Sequence, residues 1–295
     1  MILIDGNLLA HRAFHKMDFL KNMDGVPTGL EYGFLRSIEF LERKFPTHKI
    51  IICFDTKRNF KRENHKRYKS GRSTMEGTFY TRLGALQRFL SSFWDMAWQE
   101  GIEADDVMYT IAKDASEEAI IYSNDNDLLQ CVDDEKRITV LKSHDSNLYR
   151  YDEAQVEEKF GVGVKHLVML RSFLGDSSDS LKGVGRIQRS KLIEAIMLAE
   201  YKHELTDPAT IAFSIPQYTG WSPNMQMKIE SFIERGLWAG NYELMKLQEV
   251  PITYTTKLAE PDDDYILKML LEWEIGSLKL CAPYKEKLVD PESEF

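Results

Sequence analysis

MILIDGN (residues 1–7) is a short, unbroken apolar run, Ile2–Ile4, that stops at a carboxylate, Asp5. The same arrangement recurs in IIICFD (50–55), where Ile50–Phe54 leads to Asp55, and in AIIYSNDND (119–127), where Ala119–Tyr122 leads to Asp125. Apolarity that is continuous rather than alternating marks strands covered on both faces, as in a parallel sheet. Between the first two runs, Leu30, Phe34, Leu35, Ile38, Leu41 and Phe45 keep helical spacing. Between the second and third, Val107, Ile111, Ala112 and Ala115 do the same. Strand and helix in alternation predict an α/β fold with a mostly parallel central sheet flanked by helices. In such sheets ligands gather beyond the carboxyl ends of the strands, where Asp5, Asp55 and Asp125 would stand.

Nine carboxylates at five places become candidates for one site: Asp5, Asp55, then Glu103, Asp105 and Asp106 in EADD, Asp125 and Asp127 in SNDND, and Asp176 and Asp179 in GDSSDS. Each cluster has an ordinary reading. Acids favour helix starts, which would account for EADD, and acidic turns are common, which would account for SNDND. Yet Glu103 and Asp106 share a helical face, and a pair two residues apart just beyond a buried strand can bridge two ions. Brought together, these groups would repel unless cations held them ionised. Oxygen donors without His or Cys select magnesium or manganese, and two such ions about 4 Å apart suit phosphodiester cleavage.

The formal net charge of -9 argues by itself against a polyanionic partner, but charge acts locally. FKRENHKRYKSGR (60–72) interleaves Phe60, His65 and Tyr68 with a run of cations. Cations offset phosphates and aromatic faces receive unpaired bases. A solvated helix face is the plainer reading of such a run. Its place directly after Asp55, in a segment 57–92 that interrupts the strand–helix rhythm as an insertion over the strand ends, favours substrate contact. Downstream, Leu167–Leu174 reads as a helix ended by Gly175, and KGVGRIQRSKLIEAI (182–196) places Gly183 and Gly185 ahead of another helix. Such a loop lets backbone amides approach a phosphate at a helix N-terminus. Amphipathic stretches near Met225–Leu237, after the cap Ser222-Pro223, and Tyr265–Trp273 predict a helical C-terminal region over 201–295.

Cys53, Cys131 and Cys281 are far apart; Cys53 and Cys131, in apolar surroundings, are expected to be buried thiols. A reduced, cytoplasmic location is expected, with no signal peptide ahead of Asp5 and no apolar run long enough for a membrane span.

In combination these motifs resemble the structure-specific 5′-nuclease family, which includes the 5′→3′ exonuclease domain of bacterial DNA polymerase I, flap endonucleases and their phage relatives. IDGNLLAHRAFH (4–15) is similar to the family's opening strand and Arg-bearing helix, and GVPTGLEYGFL (25–35) to its PTG-x-x-YGFL segment. FKRENHKRYKSGR follows FR-x-E-x(4)-YK-x-x-R with Lys61 in place of Arg, and EADD, SNDNDLLQ and GDSSDS follow in the family's order. The resemblance covers residues 1 to about 200. It implies the PIN-like 5′-nuclease fold, with a catalytic core over 1–200, the arch at 57–92 and a helix-hairpin-helix-like element at 175–200.

It also implies two Mg²⁺ or Mn²⁺ ions. Asp55, Glu103, Asp105 and Asp125 would hold one, Asp127, Asp176 and Asp179 would lie at or near the second, Asp5 would stand between them, and Asp106 would be close by. Lys69 and Arg72 would polarise the scissile phosphate, Tyr68 would stack a base, and Arg12 and Lys61 would contact the backbone of the substrate. Gly183, Gly185, Arg186 and Arg189 would bind phosphates. The family's hairpin usually reads GVPGIG; Gly183-Val184-Gly185-Arg186-Ile187-Gln188 lacks one loop residue and the last glycine, which argues against a potassium-assisted clamp. Ser180 stands where Asn is usual. The expected enzyme is a free-standing, monomeric 5′→3′ exonuclease or flap endonuclease. Its substrates would be DNA flaps, nicks, gaps and free 5′ ends, or RNA–DNA primers, in replication and repair. Two alternatives were weighed. A haloacid-dehalogenase phosphatase needs DxD where this chain has Asp5-Gly6-Asn7, and a silent branched-DNA-binding relative would have lost acidic ligand positions.

Overall fold

The computed structural model describes residues 1–71, 77–145, 147–203, 207–255, 262–278, 280 and 283. Its strands are β1 (Ile2–Asp5), β2 (Ile50–Cys53), β3 (Asp95–Trp98), β4 (Ala119–Tyr122), β5 (Ile138–His144), β6 (Asn147–Tyr151), β7 (Gly175–Asp176), β8 (Leu181–Lys182) and β9 (Thr253–Thr255). The helices preceding the hairpin are α1 (Gly6–Lys16), α2 (Gly29–Lys44), α3 (Phe60–Asn64), α4 (Gly77–Leu90), α5 (Ala104–Asp114), α6 (Glu153–Phe160) and α7 (Val164–Leu174). After it come α8 (Arg189–His203), α9 (Pro208–Ser214), α10 (Pro223–Glu234), α11 (Leu237–Met245) and α12 (Asp263–Trp273).

Seven strands form one sheet in the order β6-β5-β4-β1-β2-β3-β9. The five central strands run parallel, and β6 and β9 are antiparallel edges. Successive residues of β1 serve opposite faces, the geometry of any strand. Ile2 and Ile4 join α1, α2, α4 and α12 in one core, while Leu3, with Ile51 and Cys53, joins α5, α6 and α7 in another. That two-sided cover is why the strands read as continuous apolar runs. The chain leaves β1 toward β2 and β3 on one side and returns to β4 on the other, so the order reverses between β1 and β4. At that switch point two crossovers diverge and leave a crevice above the strand ends.

The interrupting segment divides in two. α3 is a short helix capped by Asn59, whereas α4 buries Phe79, Leu83, Leu86, Phe89 and Leu90. The half beyond residue 77 is therefore a helix of the sheet core, not an insertion, because Phe79 begins an apolar stripe that Gly77 and Gly84 obscure in the sequence. Farther along, α7 shares a third core with α8–α11, in which Phe173 packs against Phe232 and Trp238. Cys53 and Cys131 are free and buried. Among the described residues no helix is long and apolar enough to cross a membrane.

Candidate metal centre and its cationic cover

Asp5 ends β1 and caps α1. Its Oδ1 accepts from Leu8 N at 2.9 Å, a placement the helix N-terminus favours, and its Oδ2 accepts from Ser123 Oγ at 2.9 Å. Ser123 Oγ in turn accepts from Asp125 N at 3.1 Å, and Asp125 Oδ1 accepts from Asp127 N at 2.8 Å. The loop after β4 is thus tied to the end of β1 across the switch point. Asp55, just beyond β2, is clamped by Asn7: Asn7 Nδ2 donates to Asp55 Oδ2 at 3.0 Å, and Asp55 N donates to Asn7 Oδ1 at 3.2 Å. Asp55 Oδ1 also accepts from Ala104 N at 2.7 Å, which fixes the start of α5 beside it.

The electrostatics reflect this crowding. Burial, with the neighbouring Asp55 and Asp125 charges, pushes Asp5 up to about 7. Burial and the charges of Asp125 and Asp5 hold Asp105 well above the ordinary carboxylate range. Burial likewise raises Asp127 to about 7, against the pull of Arg171. Arg171 projects from the apolar helix α7 and shares Nη2 between Asp176 Oδ2 at 2.6 Å and Asp127 Oδ1 at 2.8 Å, the latter without hydrogen-bond geometry. Asp176, half-buried, is held low: burial opposes this, but hydrogen bonds from Ser178 and the Arg171 charge prevail.

Glu103 belongs to the same crevice but faces cations. It pairs with Lys69 Nζ, accepts from Tyr68 Oη at 3.0 Å and Asn59 Nδ2 at 2.9 Å, and has Lys61 Nζ at 3.6 Å. Burial would raise its carboxyl, yet Lys69, Lys61 and these donors bring it down to about 2. Burial would equally lower Lys69, and the charges of Glu103, Asp179 and Asp105 hold it above the usual value instead. A backbone bond from Lys69 N to Asp179 O (2.9 Å) and another from Gly71 N to Ser180 Oγ (3.2 Å) dock this segment onto the GDSSDS loop. Lys69 and Ser180 both adopt left-handed backbone conformations there (φ 54° and 61°).

Several residues differ from expectation. Tyr68 offers no stacking face in this conformation: it is only 4% exposed and packs with Val168, Leu181, Leu244 and Met245. The reason is that its hydroxyl reaches Glu103 only when the ring is swallowed between α7 and α11. Asp106 shares the Lys61 ammonium with Glu103. Its Oδ1 accepts from Gln248 N at 2.8 Å and its Oδ2 pairs with Lys61 at 2.9 Å, so it latches the segment between α11 and β9 onto α5. Lys61 is spent on that latch rather than presented outward. Arg12 is anchored to Ser143 Oγ and, at 2.8 Å, to Tyr122 Oη, beside a cavity of about 820 Å³. Gly183 is required by packing, since a Cβ there would lie 2.1 Å from Leu174 O, whereas Gly185 faces open space. Arg186 is exposed with φ 64°, and Arg189 Nη2 donates to Lys159 O at 3.1 Å. Arg72 lies outside the described residues.

Sequence reading missed Asn7, Asn59, Ser123, Lys142 and Arg171. Arg171 and Lys142 had a signal: each is a cation set within an apolar run, LVMLRSFL and ITVLK. Gly101 had another. Its left-handed φ of 79° and the Phe60 ring 2.3 Å from where a Cβ would stand show why glycine precedes EADD.

Among the described residues no three His, Cys, Asp or Glu groups stand close enough to hold an ion as the side chains are turned. Glu103 faces Lys69, and Asp127 and Asp176 face Arg171. The donor chemistry nevertheless fits hard divalent cations: every donor is an oxygen, and burial together with the neighbouring carboxylates raises the pKa values of Asp5, Asp105 and Asp127.

The family model of the 5′-3′ exonuclease N-terminal, resolvase-like domain matches residues 1–161. DNA polymerase I of Bacillus subtilis is 28% identical over 243 residues, 80% of this chain but only 27% of that protein, so the chain spans about a quarter of it. A 5′-3′ exonuclease of Buchnera aphidicola is 32% identical over 193 residues, covering 63% of this chain and 66% of its own. Among solved structures, the flap endonuclease of bacteriophage T5, in a pseudo-enzyme–product complex with DNA and metal ions, shares the fold with a TM-score of 0.64 at 16% identity over 98% of this chain and 97% of its own. With more than half of its length matched by that model and its parallel sheet carrying the acidic crevice at the switch point, the chain belongs to the 5′-3′ exonuclease family.

Proposed function

We propose that the chain is a divalent-metal-dependent 5′-nuclease that hydrolyses phosphodiesters at free 5′ ends and 5′ flaps of nicked, gapped or branched DNA, RNA–DNA primers included. The observation that supports this most is the crevice itself, where Asp5, Asp55 and Asp125 at the strand ends meet Asp105 of α5: burial, reinforced by the neighbouring carboxylate charges, raises the carboxyls of Asp5 and Asp105 beside the Lys69 ammonium. Two Mg²⁺ or Mn²⁺ ions held by these carboxylates together with Asp127, Asp176, Asp179 and Glu103 would activate water and offset charge on the leaving oxygen. The T5 enzyme's complex with DNA and metal ions lends this reading weight.

The protein's own groups supply the rest. Lys69, released from Glu103, is placed to donate to a non-bridging oxygen of the scissile phosphate. Such a donor acts on charge that develops in the transition state. Arg72 follows it in the same segment and takes a second phosphate oxygen. Arg12, rigidly held at the mouth of the crevice, orients the strand, and Gly185 and Arg186 meet phosphates of the duplex. No side chain acts as nucleophile.

Purified protein with Mg²⁺ should cleave labelled flap and nicked substrates near the 5′ junction, fail with EDTA, and leave covalently closed circular duplex intact. Cleavage that survives EDTA, or none on any substrate bearing a 5′ end, would sink the reading.

A further inference from the structure

Lys142 lies in the middle of β5, is 8% exposed, and is the one cation in the apolar stretch ITVLK. A buried ammonium is costly unless its hydrogens are all satisfied. Here each has an acceptor, and all three acceptors sit in one loop. Nζ donates to the carbonyl oxygens of Asn124 (3.0 Å) and Asp125 (2.8 Å) and to Asn126 Oδ1 (2.9 Å). It touches neither the Asp125 nor the Asp127 carboxylate, so these remain turned toward the crevice. The adjacent Ser143 adds a second grip, donating N–H to Asn124 Oδ1 at 2.9 Å and accepting from Asn124 Nδ2 at 3.0 Å.

We propose that Lys142 is a positioning residue for the metal centre: it holds the 124–126 loop from beneath by its backbone and thereby aims Asp125 and Asp127. The inference rests on the metal-centre reading above. Acting on carbonyls is what separates it from Arg171 and Lys69, which neutralise carboxylates directly. β4 ends at Tyr122 and the next regular turn begins at Asp127; of the four residues between, Ser123 N still donates to Leu141 O of β5 at 3.2 Å and Lys159 Nζ gives Asn126 Oδ1 a second donor at 3.2 Å, while Lys142 takes the carbonyls of Asn124 and Asp125.

Positioning and simple charge predict opposite signs. Removing a positive charge beside a cation site tightens metal binding by Coulomb's law, whereas removing a group that orients the ligands weakens it. The probe is Mn²⁺ alone, titrated calorimetrically into the full chain, with circular dichroism confirming the fold. Lys142→Met should weaken Mn²⁺ binding by about 10–100-fold, the usual cost of losing a group that orients metal ligands. Lys142→Gln, which lacks the charge but keeps two donors, should lose less than about tenfold. Equal or tighter binding by Lys142→Met, or tighter binding by Lys142→Gln, would overturn the proposal. If Lys142→Met does not fold, the Gln variant alone decides by the same criterion. Asp125→Asn separates the two claims: if it binds Mn²⁺ like the wild type, the metal-centre reading itself has failed, whatever Lys142 does.

Discussion

The acidic floor of the crevice and the basic segment that covers it carry comparable charge but are held by different means. Asp5, Asp55 and Asp125 sit at or just beyond strand ends, and backbone amides and short hydroxyl or amide side chains fix their oxygens. The ammonium groups of Lys61 and Lys69 are held mainly by carboxylates at the rim of that floor, Asp106 and Glu103, although the backbone at Lys69 and Gly71 is tied to the GDSSDS loop. Backbone-anchored groups keep their places when their surroundings change, whereas ion pairs exchange partners as soon as a better ion arrives. The floor is therefore preorganised and the cover is replaceable.

The sharpest way to break this comparison is Asp125→Asn. If the floor is the working part, Mg²⁺-dependent cleavage should vanish while DNA binding in Ca²⁺ holds or improves, because one negative charge near the phosphate is gone. Gel-shift and turnover assays run in parallel decide it, and undiminished turnover removes Asp125 from the centre.

Next in size is Lys69→Ala. Turnover should fall by about 10²–10³-fold, the cost of one transition-state donor. Mn²⁺ affinity should rise, since a cation competing for Glu103 has been removed. A variant in which both quantities fall would make Lys69 a permanent strut rather than a replaceable cover.

Asp106 sharpens the boundary of the floor. Asp106→Ala leaves Lys61 without its closest partner and Gln248 N without an acceptor, and should cost about 3 kcal/mol in urea unfolding. Asp106→Asn should retain most Mn²⁺ affinity, while Asp105→Asn should lose it. Equal losses would return Asp106 to the ligand set.

The smallest effect is a pH trend. In EDTA, Asp5 and Asp127 titrate near 7 in the folded chain and near the ordinary Asp value when unfolded. Their folded pKa values are raised, so the stability they allow is full below about pH 4 and is lost as pH rises toward 7. Glu103, lowered to about 2, works the other way: its contribution is present above its usual pKa and is lost only in strong acid. Melting temperature in EDTA should thus decline between about pH 4.5 and 7 and then level, and Mn²⁺ should cancel the decline. A flat profile in EDTA would mean that the floor carries no uncompensated charge.

Much of the sheet could be read from residue order. The runs at Ile2, Ile50 and Ala119 became β1, β2 and β4 because strands covered on both faces are apolar at every position. β3, DMAW, was not read, since Asp95 at its start and only four residues leave no apolar run. β5 and β6 were also passed over. β6 is half solvated, and its exposed pattern resembles a loop until β5 lies beside it. In the site, acids just beyond strands were visible because the chemistry demands that residue type there. Direction was not, which is why Tyr68 is expected against a base and Asp106 among the metal ligands.

From the sequence alone follow the α/β alternation, the family and the inventory of carboxylates and cations, because these depend on residue type and local spacing. Only the tertiary structure decided which of them face one another. Whether Glu103 meets a lysine, Asp106 meets Gln248 N or Lys142 reaches the loop beyond β4 depends on contacts between residues 17 to 142 positions apart. Those contacts form only when the sheet order brings the elements together. Side-chain direction and charge compensation are properties of that packed arrangement, and no local pattern encodes them.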